Sequence, residues 1–418
     1  MMNQGETKKG TIGVVGAGVI GLAIGLKLQQ QGYQVTLFDP HGAGNGCSKG
    51  NAGHIATEQI FPLATPGLLP QLPKMLWASD GPVSVRWRDL PKALGWMLRF
   101  LFQARPTATA RATQALIGLN QKAVASWHTL LDSIGKRELL KMDGSLLTFE
   151  SERLFQRYQP TLKALRAAGV ACEIWSAEHI RERVPALSHH VHAGVFFPQT
   201  GHSIEPYHLC KTLERALLQL GGSVEACEVM KIRPGGTLLT ERGQVTCDKV
   251  IIAAGAYSAP LVRDLTGVRV PLQAERGYHL MVSSPAPALP FPVSSADRKF
   301  IMTPMTGGLR LAGTVEYADI NAPANMRRAD MLLSMADTLL EQGLSPEQKG
   351  DTWMGNRPST CDSLPVIDQC FDGRILLAFG HQHLGLTQAA ITADLIAAMV
   401  NDDTPALDVA PFTLQRFA

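Results

Sequence analysis

Charge is scarce in this chain of 418 residues: Asp, Glu, Lys and Arg make up 18%, and the formal net charge is only +3. Such a balance lacks the basic stripe of a nucleic-acid binder, so no nucleic-acid partner is expected. Aromatic residues stand at 6%. Cysteines are few and scattered, at Cys47, Cys172, Cys210, Cys227, Cys247, Cys361 and Cys370, with no Cys-x-x-Cys pair. An odd, unpaired set argues against a disulfide framework and a structural zinc site, and suits a reducing compartment. His189, His190 and His192 cluster without the carboxylates or cysteines that would favour a metal, so they read as surface residues and no metal is expected. No run reaches the ~20 uninterrupted apolar residues of a membrane-spanning helix. Internal repeats and low-complexity tracts are also lacking.

Hydrophobic residues are plentiful, at 45%. The length suits roughly two or three domains of ~150 residues. Lys8 and Lys9 before the apolar run Ile12 to Leu26 imitate a signal peptide, but five glycines break the run. It reads instead as a buried strand and the start of a helix. Thr11–Val15 is β-branched and apolar, as a doubly buried parallel strand should be. Leu22–Gln31 has helical spacing, Gly32 stops it, and Tyr33–Phe38 alternates up to Asp39.

Between the first strand and the helix lies Gly16-Ala17-Gly18-Val19-Ile20-Gly21. The first glycine of such a turn permits its tightness, the second the approach of a pyrophosphate, and the third close helix–strand packing. The helix N-terminus offers N–H groups to phosphate, and Asp39 offers a carboxylate to ribose. The pattern predicts a dinucleotide site.

Further along, residues 40–54 read as loop and 61–92 as irregular and proline-rich. Helices are expected over 92–103, 112–135, 152–168, 177–184, 206–220 and 327–342, and over Thr387–Val400. A meander is expected from Val224 to Thr246, and buried strands at Lys249–Ala253 and Ile375–Phe379. Short strands at Leu280–Val282, Lys299–Thr303 and Leu309–Gly313 predict an antiparallel sheet in a second domain.

Beyond the first strand pair the chain does not continue as repeated strand–helix units, and Lys249–Ala253 runs on into Ala254-Gly255-Ala256-Tyr257-Ser258. Together with Ser48-Lys49-Gly50-Asn51-Ala52-Gly53-His54-Ile55, Trp353–Thr360 and Gly380–Thr387, these motifs resemble the D-amino acid oxidase/dehydrogenase superfamily over essentially the whole chain. The resemblance is nearest to bacterial D-amino acid dehydrogenases and cis-4-hydroxy-D-proline dehydrogenases. It implies an α/β fold in which an FAD-binding Rossmann-like domain (1–60, 150–268, 350–418) is interleaved with an antiparallel-sheet-plus-helices substrate domain (61–149, 269–349). Two positions depart from the family pattern: Cys361, where proline is usual, and Gln382, where glycine is usual.

The resemblance implies non-covalent FAD, held by Gly16, Gly18, Val19, Ile20, Gly21 and Asp39, by Ser48, Asn51, Ala52, Gly53, His54 and Ile55, and by Ala254 and Gly255. Val229 would lie near adenine, with Met230 as the other register. Gly380, His383, Leu384, Gly385, Leu386 and Thr387 would face the flavin edge, with Thr387 as N-cap of the last helix. Taken alone, His383 reads as a surface residue. Arg357 would touch cofactor and substrate, since a guanidinium fork matches a carboxylate. Tyr278 would share that carboxylate, while His54 and His381 would line the cavity without having to act as bases.

The implied reaction is oxidation of a small D-amino acid by hydride transfer to flavin N5, with electrons passing to a quinone or other respiratory acceptor. An oxygen-using glycine or sarcosine oxidase and a non-catalytic FAD-binding subunit are the alternatives. The basic, aromatic stretch 85–103 reads either as a helix packed on the core or as a peripheral membrane contact. The expected location is cytoplasmic, with room for attachment at the inner face of the cell membrane.

Overall fold

The computed structural model describes residues 9–67, 81 and 83–418, so part of the proline-rich stretch 61–92 lies outside the described residues. Strand β1 (Thr11–Val15), helix α1 (Val19–Gln30) and strand β2 (Gln34–Phe38) open the chain as their periodicity predicts. β1 pairs in parallel with β2 on one side and with Lys249–Ile252 on the other. Ser223–Glu225 and Ile375–Phe379 extend the parallel order, and Val366–Cys370 closes it as an antiparallel edge.

This six-stranded sheet is covered on both sides, which is why its strands read as apolar runs. Side chains alternate between the two faces. Ile12, Val14, Leu37 and Ile251 pack into the core beneath α1 and the helices Pro106–Asp132, Pro206–Gln219 and Gly385–Val400. Val15, Phe38, Val250 and Ile252 pack against the small meander at Val229–Ile232, Thr237–Thr240 and Gly243–Thr246. The helix Gly385–Val400 is apolar enough to span a membrane, yet the stretch Gln382–Val400 is 78% buried. It is a core helix.

The second sheet is larger than the sequence suggests. It has nine strands and is built mainly on two long ones, Leu272–Ser283 and Lys349–Thr360, paired antiparallel in the register Glu275↔Arg357 and Gly277↔Gly355. Leu280–Val282, expected as a short strand, is the apolar end of the first. Ser145–Phe149, Glu173–Ser176 and Ala193–Phe197 also belong to this sheet, as does the expected C-terminal motif Trp353–Thr360. Residues 173–176, 193–197 and 350–360, which fall in the segments expected from sequence on the FAD-binding side, pair into this nine-stranded sheet. A bulge displaces the register between Gly277 and Tyr278, and Thr314 takes it up on the facing strand with φ 47°.

Candidate active site

The dinucleotide turn is tight where the motif requires it. Gly16 sits at φ 106°, and a Cβ there would run into the Ala253 carbonyl. Its N–H donates to the Phe38 carbonyl at 2.8 Å. Asp39 ends beside this turn, its two carboxylate oxygens accepting from the Ala17 and His41 N–H groups, each at 2.9 Å. Helix α1 begins at Val19 without an acidic residue in its first turn, and Ser48 Oγ accepts from the Val19 N–H at 2.9 Å. A glycine cradle, an uncharged helix entrance and a fixed carboxylate are the donor and acceptor set that pyrophosphate and ribose need, so the residues fit a dinucleotide. Ala254 and Gly255 follow Lys249–Ile252 directly beside Gly16. Val229 is buried in the core of the meander, and Met230 is 58% exposed.

The loop Ser48–Ile55 is fastened on both sides. Asn51 Oδ1 accepts from the Gly53 N–H at 2.8 Å, folding the loop on itself. The Asn51 carbonyl accepts from Arg310 Nη1 at 2.7 Å, and the Gly50 carbonyl lies 2.8 Å from His279 Nδ1. Both partners come from the nine-stranded sheet. On the opposite side the Ala56 N–H donates to Thr387 Oγ1 at 2.9 Å. This corrects the expectation for Thr387. The last helix starts at Gly385 with Leu384 as N-cap, so Thr387 already lies inside its first turn and its hydroxyl holds the loop. No side chain caps that helix and its first turn has no acid, leaving its positive end uncompensated. Trp127, fully buried, anchors it by donating from Nε1 to the Leu386 carbonyl at 2.8 Å. Just before it, Gln382 holds φ 52° and donates from Nε2 to the Thr360 carbonyl at 3.2 Å. A left-handed backbone suits the glycine usual there; here a side-chain bond secures it.

Arg357 lies across the strand pair from Glu275, with Nη1 3.0 Å from Glu275 Oε1. The other oxygen of Glu275 accepts from Ser359 Oγ at 2.8 Å. The guanidinium rests over Gly277, where a Cβ would run into it. Among the described residues, Nε and Nη2 of Arg357 have no protein hydrogen bond. They form an open edge for an anion, and the glycine beneath makes the space.

Tyr278 is elsewhere. Adjacent strand residues face opposite sides, and Tyr278 points with Arg276 away from Arg357. Its hydroxyl donates to Glu316 Oε2 at 2.7 Å and accepts from the Asn325 N–H at 3.1 Å. It does not share a carboxylate with Arg357. His381 is also turned inward: its Nε2 lies 2.9 Å from Thr392 Oγ1, inside the last helix, and burial pushes its pKa down to about 3. His383 is no surface residue. Burial lowers its pKa to about 4, and Glu275, Arg357 and His54 are near enough for their charges to act on it.

His54 pairs across a short strand bridge with His202. Its Nε2 lies 3.8 Å from Glu58 Oε1, and both side chains are nearly buried. Sequence reasoning passed over Glu58, Glu275, His279 and Arg310. Glu275 could have been found from the charged pair Glu275-Arg276 inside a segment otherwise bound for a sheet interior; the other three carry no such signal.

The family model for FAD dependent oxidoreductases matches residues 11–399. A D-amino-acid oxidase of Bradyrhizobium diazoefficiens is 32% identical over 97% of this chain and 98% of its own length. A D-amino acid dehydrogenase of Dechloromonas aromatica is 28% identical over 94% and 97%. In fold, glycine oxidase from Geobacillus kaustophilus superposes with a TM-score of 0.77 at 23% identity, covering 99% of this chain and 100% of that one. The L-proline dehydrogenase of P. horikoshii gives 0.73 at 16% identity, covering 99% and 98%. With a family model matched over nearly the whole chain and a relative at 32% identity, the chain belongs to the FAD dependent oxidoreductase family.

Proposed function

We propose that this FAD-dependent oxidoreductase oxidises the carbon–nitrogen bond of a small D-amino acid, with D-proline and cis-4-hydroxy-D-proline as leading candidates. The observation that carries the reading is the open edge of Arg357 over Gly277, beside His383 and the loop Ser48–Ile55. A carboxylate bound there gains two charge-assisted hydrogen bonds in a fixed plane. The names of the relatives in Bradyrhizobium and Dechloromonas support the D-configuration.

The Gly16–Gly21 turn, Asp39 and the loop would hold FAD non-covalently, and the bound FAD would supply the acceptor for the α-carbon hydrogen. Arg357 fixes the substrate's carboxylate, and Gly277 leaves room for the groups next to it. The imino acid product hydrolyses to a 2-oxo acid and ammonia, whereas a cyclic imine persists.

A quinone or other respiratory acceptor is the electron sink we favour. The helix Leu90–Gln103 buries Ala93, Trp96 and Phe100, and Trp96 Nε1 donates to the Ser359 carbonyl beside the site at 3.0 Å. Its other side exposes Leu94, Leu98 and Phe102, continued by Trp87, with Arg88, Arg99 and Arg105 around them. Apolar residues flanked by cations suit the inner face of the cell membrane. Oxygen is the second reading, supported by the oxidase name of the Bradyrhizobium relative.

Anaerobic mixing with a panel of D- and L-amino acids, glycine and sarcosine, followed at the flavin absorbance, tests both readings. Bleaching by one D-amino acid is expected, with slow recovery in air and fast recovery with a quinone. A flavin that stays oxidised with the whole panel overturns the proposal. Fast recovery in air replaces the quinone by oxygen.

A further inference from the structure

Among the buried polar atoms near the site that have no hydrogen-bond partner are His54 Nε2 and Glu58 Oε2, with His202 Nδ1 beside them. Orphaned polar groups in an interior are costly and call for a functional explanation. The side chains of His54 and Glu58 approach each other, 3.8 Å from Nε2 to Oε1, which is too long for a direct bond and short enough for a proton to be passed after a small rotation. His54 sits in the loop that runs along the cofactor side, and its charge acts on His383, which also feels Arg357 and Glu275. Glu58 lies behind it. Thr57 and Ile60, on either side of Glu58 in the chain, line a cavity of about 450 Å³ together with Asn120, Gln121, His128 and Gln199.

An amino acid arrives at neutral pH with a protonated amino group. That group must lose a proton before its lone pair can assist departure of the α-hydrogen. We propose that His54 and Glu58 form the relay for this proton: His54 takes it from the substrate's ammonium, and Glu58 receives it from His54 and releases it to the cavity behind. The inference rests on the amino-acid reading above. In the step, one N–H bond of the ammonium breaks and its electron pair stays on nitrogen. An N–H bond forms on one imidazole nitrogen, the other nitrogen gives up its proton, and an O–H bond forms on Glu58. No electrons leave the substrate until the hydrogen departs.

The environment suits the role. Burial pushes Glu58 up to about 7, where a base is effective at neutral pH, and holds His54 down at about 4, so the imidazole passes a proton without keeping it. The groups facing the pair are few. His202, from the strand Gly201–Ser203, is itself lowered to about 4 and feels Lys141 and Asp143. Tyr158, from the helix Glu152–Ala167, feels Glu58 and Cys172. His383 faces from the turn before the last helix.

The test is anaerobic flavin reduction of the holoenzyme by its best amino acid, followed from pH 6 to pH 10, for the wild type, Glu58→Gln, Glu58→Asp and His54→Gln. Glu58→Gln should slow reduction at pH 7 on the order of a hundredfold. It should recover toward the wild-type rate at the alkaline end, where the substrate's amine is already neutral. Glu58→Asp should restore part of the neutral-pH rate. A purely structural role would leave a loss that does not depend on pH. A second readout uses 2-aminoisobutyrate, which has the carboxylate and amine but no α-hydrogen. Infrared difference spectra on binding should show a protonated-carboxyl band appearing in the wild type and absent in Glu58→Gln. Variants that keep the wild-type pH profile, or the same infrared band, overturn the relay. A wild-type flavin that no amino acid reduces overturns the underlying reading instead.

Discussion

Glu275 and Arg276 are neighbours in one strand, and each is half of an ion pair, yet the two pairs serve opposite ends. Arg276 is fully buried: Nη1 donates to Glu316 at 2.9 Å and to the Pro323 carbonyl at 3.2 Å, Nη2 donates to the Ala322 carbonyl at 2.7 Å, and Nε is left without a partner in the interior. Tyr278 adds a further bond to Glu316. Across the strand, Glu275 is saturated, but its partner Arg357 is bonded through one nitrogen only and its side chain is 22% exposed. The same chemistry is enclosed on one face of the sheet and open on the other. What separates a structural pair from a binding pair is whether the donors left over are walled in, as at Arg276, or open, as at Arg357.

The largest effect should come from the open pair. Arg357→Met removes the only anchor proposed for the carboxylate, and kcat/KM for amino acids should fall about 100- to 10,000-fold, some 3–5 kcal/mol. The flavin should stay bound, and because Glu275 is left unpaired at 5% exposure, some stability should be lost as well. A wild-type kcat/KM would remove Arg357 from the site. Breaking the closed pair should cost stability without touching kcat/KM. Arg276→Met strands Glu316 in the interior, and a loss of about 3–5 kcal/mol in stability is expected by calorimetry. The surviving folded protein should keep its kcat/KM; a selective loss of activity would erase the contrast drawn here.

Acid sharpens the comparison further, because the buried imidazoles gather on the open side. Burial lowers His54, His202, His279 and His383 to about 4 and His381 to about 3, against about 6.5 when unfolded. A folded pKa below the unfolded one contributes stability present above pH 6.5 and lost as pH falls toward 4. Each histidine is worth roughly 2–3 kcal/mol at the acid end. Glu58, raised to about 7, works the other way: its contribution is present below about 4.5 and lost as pH rises through 7. Five groups outweigh one, so the melting temperature should drop steeply between pH 6.5 and pH 4. Hydrogen exchange should report opening first around the loop Ser48–Ile55. Opening first around Arg276 would contradict this. The smallest effect belongs to Tyr278→Phe, which removes one bond of the closed network. It should cost about 1 kcal/mol of stability and leave amino-acid oxidation unchanged.

The first sheet was legible because its strands are apolar on both faces and end in glycine. Ile375–Phe379 is found to the residue, and β1, α1 and β2 to within a few. The second sheet was not. Glu275, Arg276, Tyr278 and His279 are polar, but their partners bury them inside a strand, which inverts the usual pattern. Glycine, asparagine and proline disguise Lys349–Thr360 in the same way. The motif at Arg357 was visible. Its partner Glu275 is 82 residues away, and only the strand register brings the two together. Tyr278 was misplaced for a related reason: sequence gives alternation along a strand but not which face meets the site.

The loop Ser48–Ile55 hangs from Arg310 and His279 on the nine-stranded sheet and, through Ser48 and the adjoining Ala56, from Val19 and Thr387 on two helices that cover the six-stranded sheet. In mechanical terms it is a rivet, not a hinge. Two halves riveted through one short segment resist drifting apart there. The relative placement of the two sheets at this point is thus set once, when the chain folds.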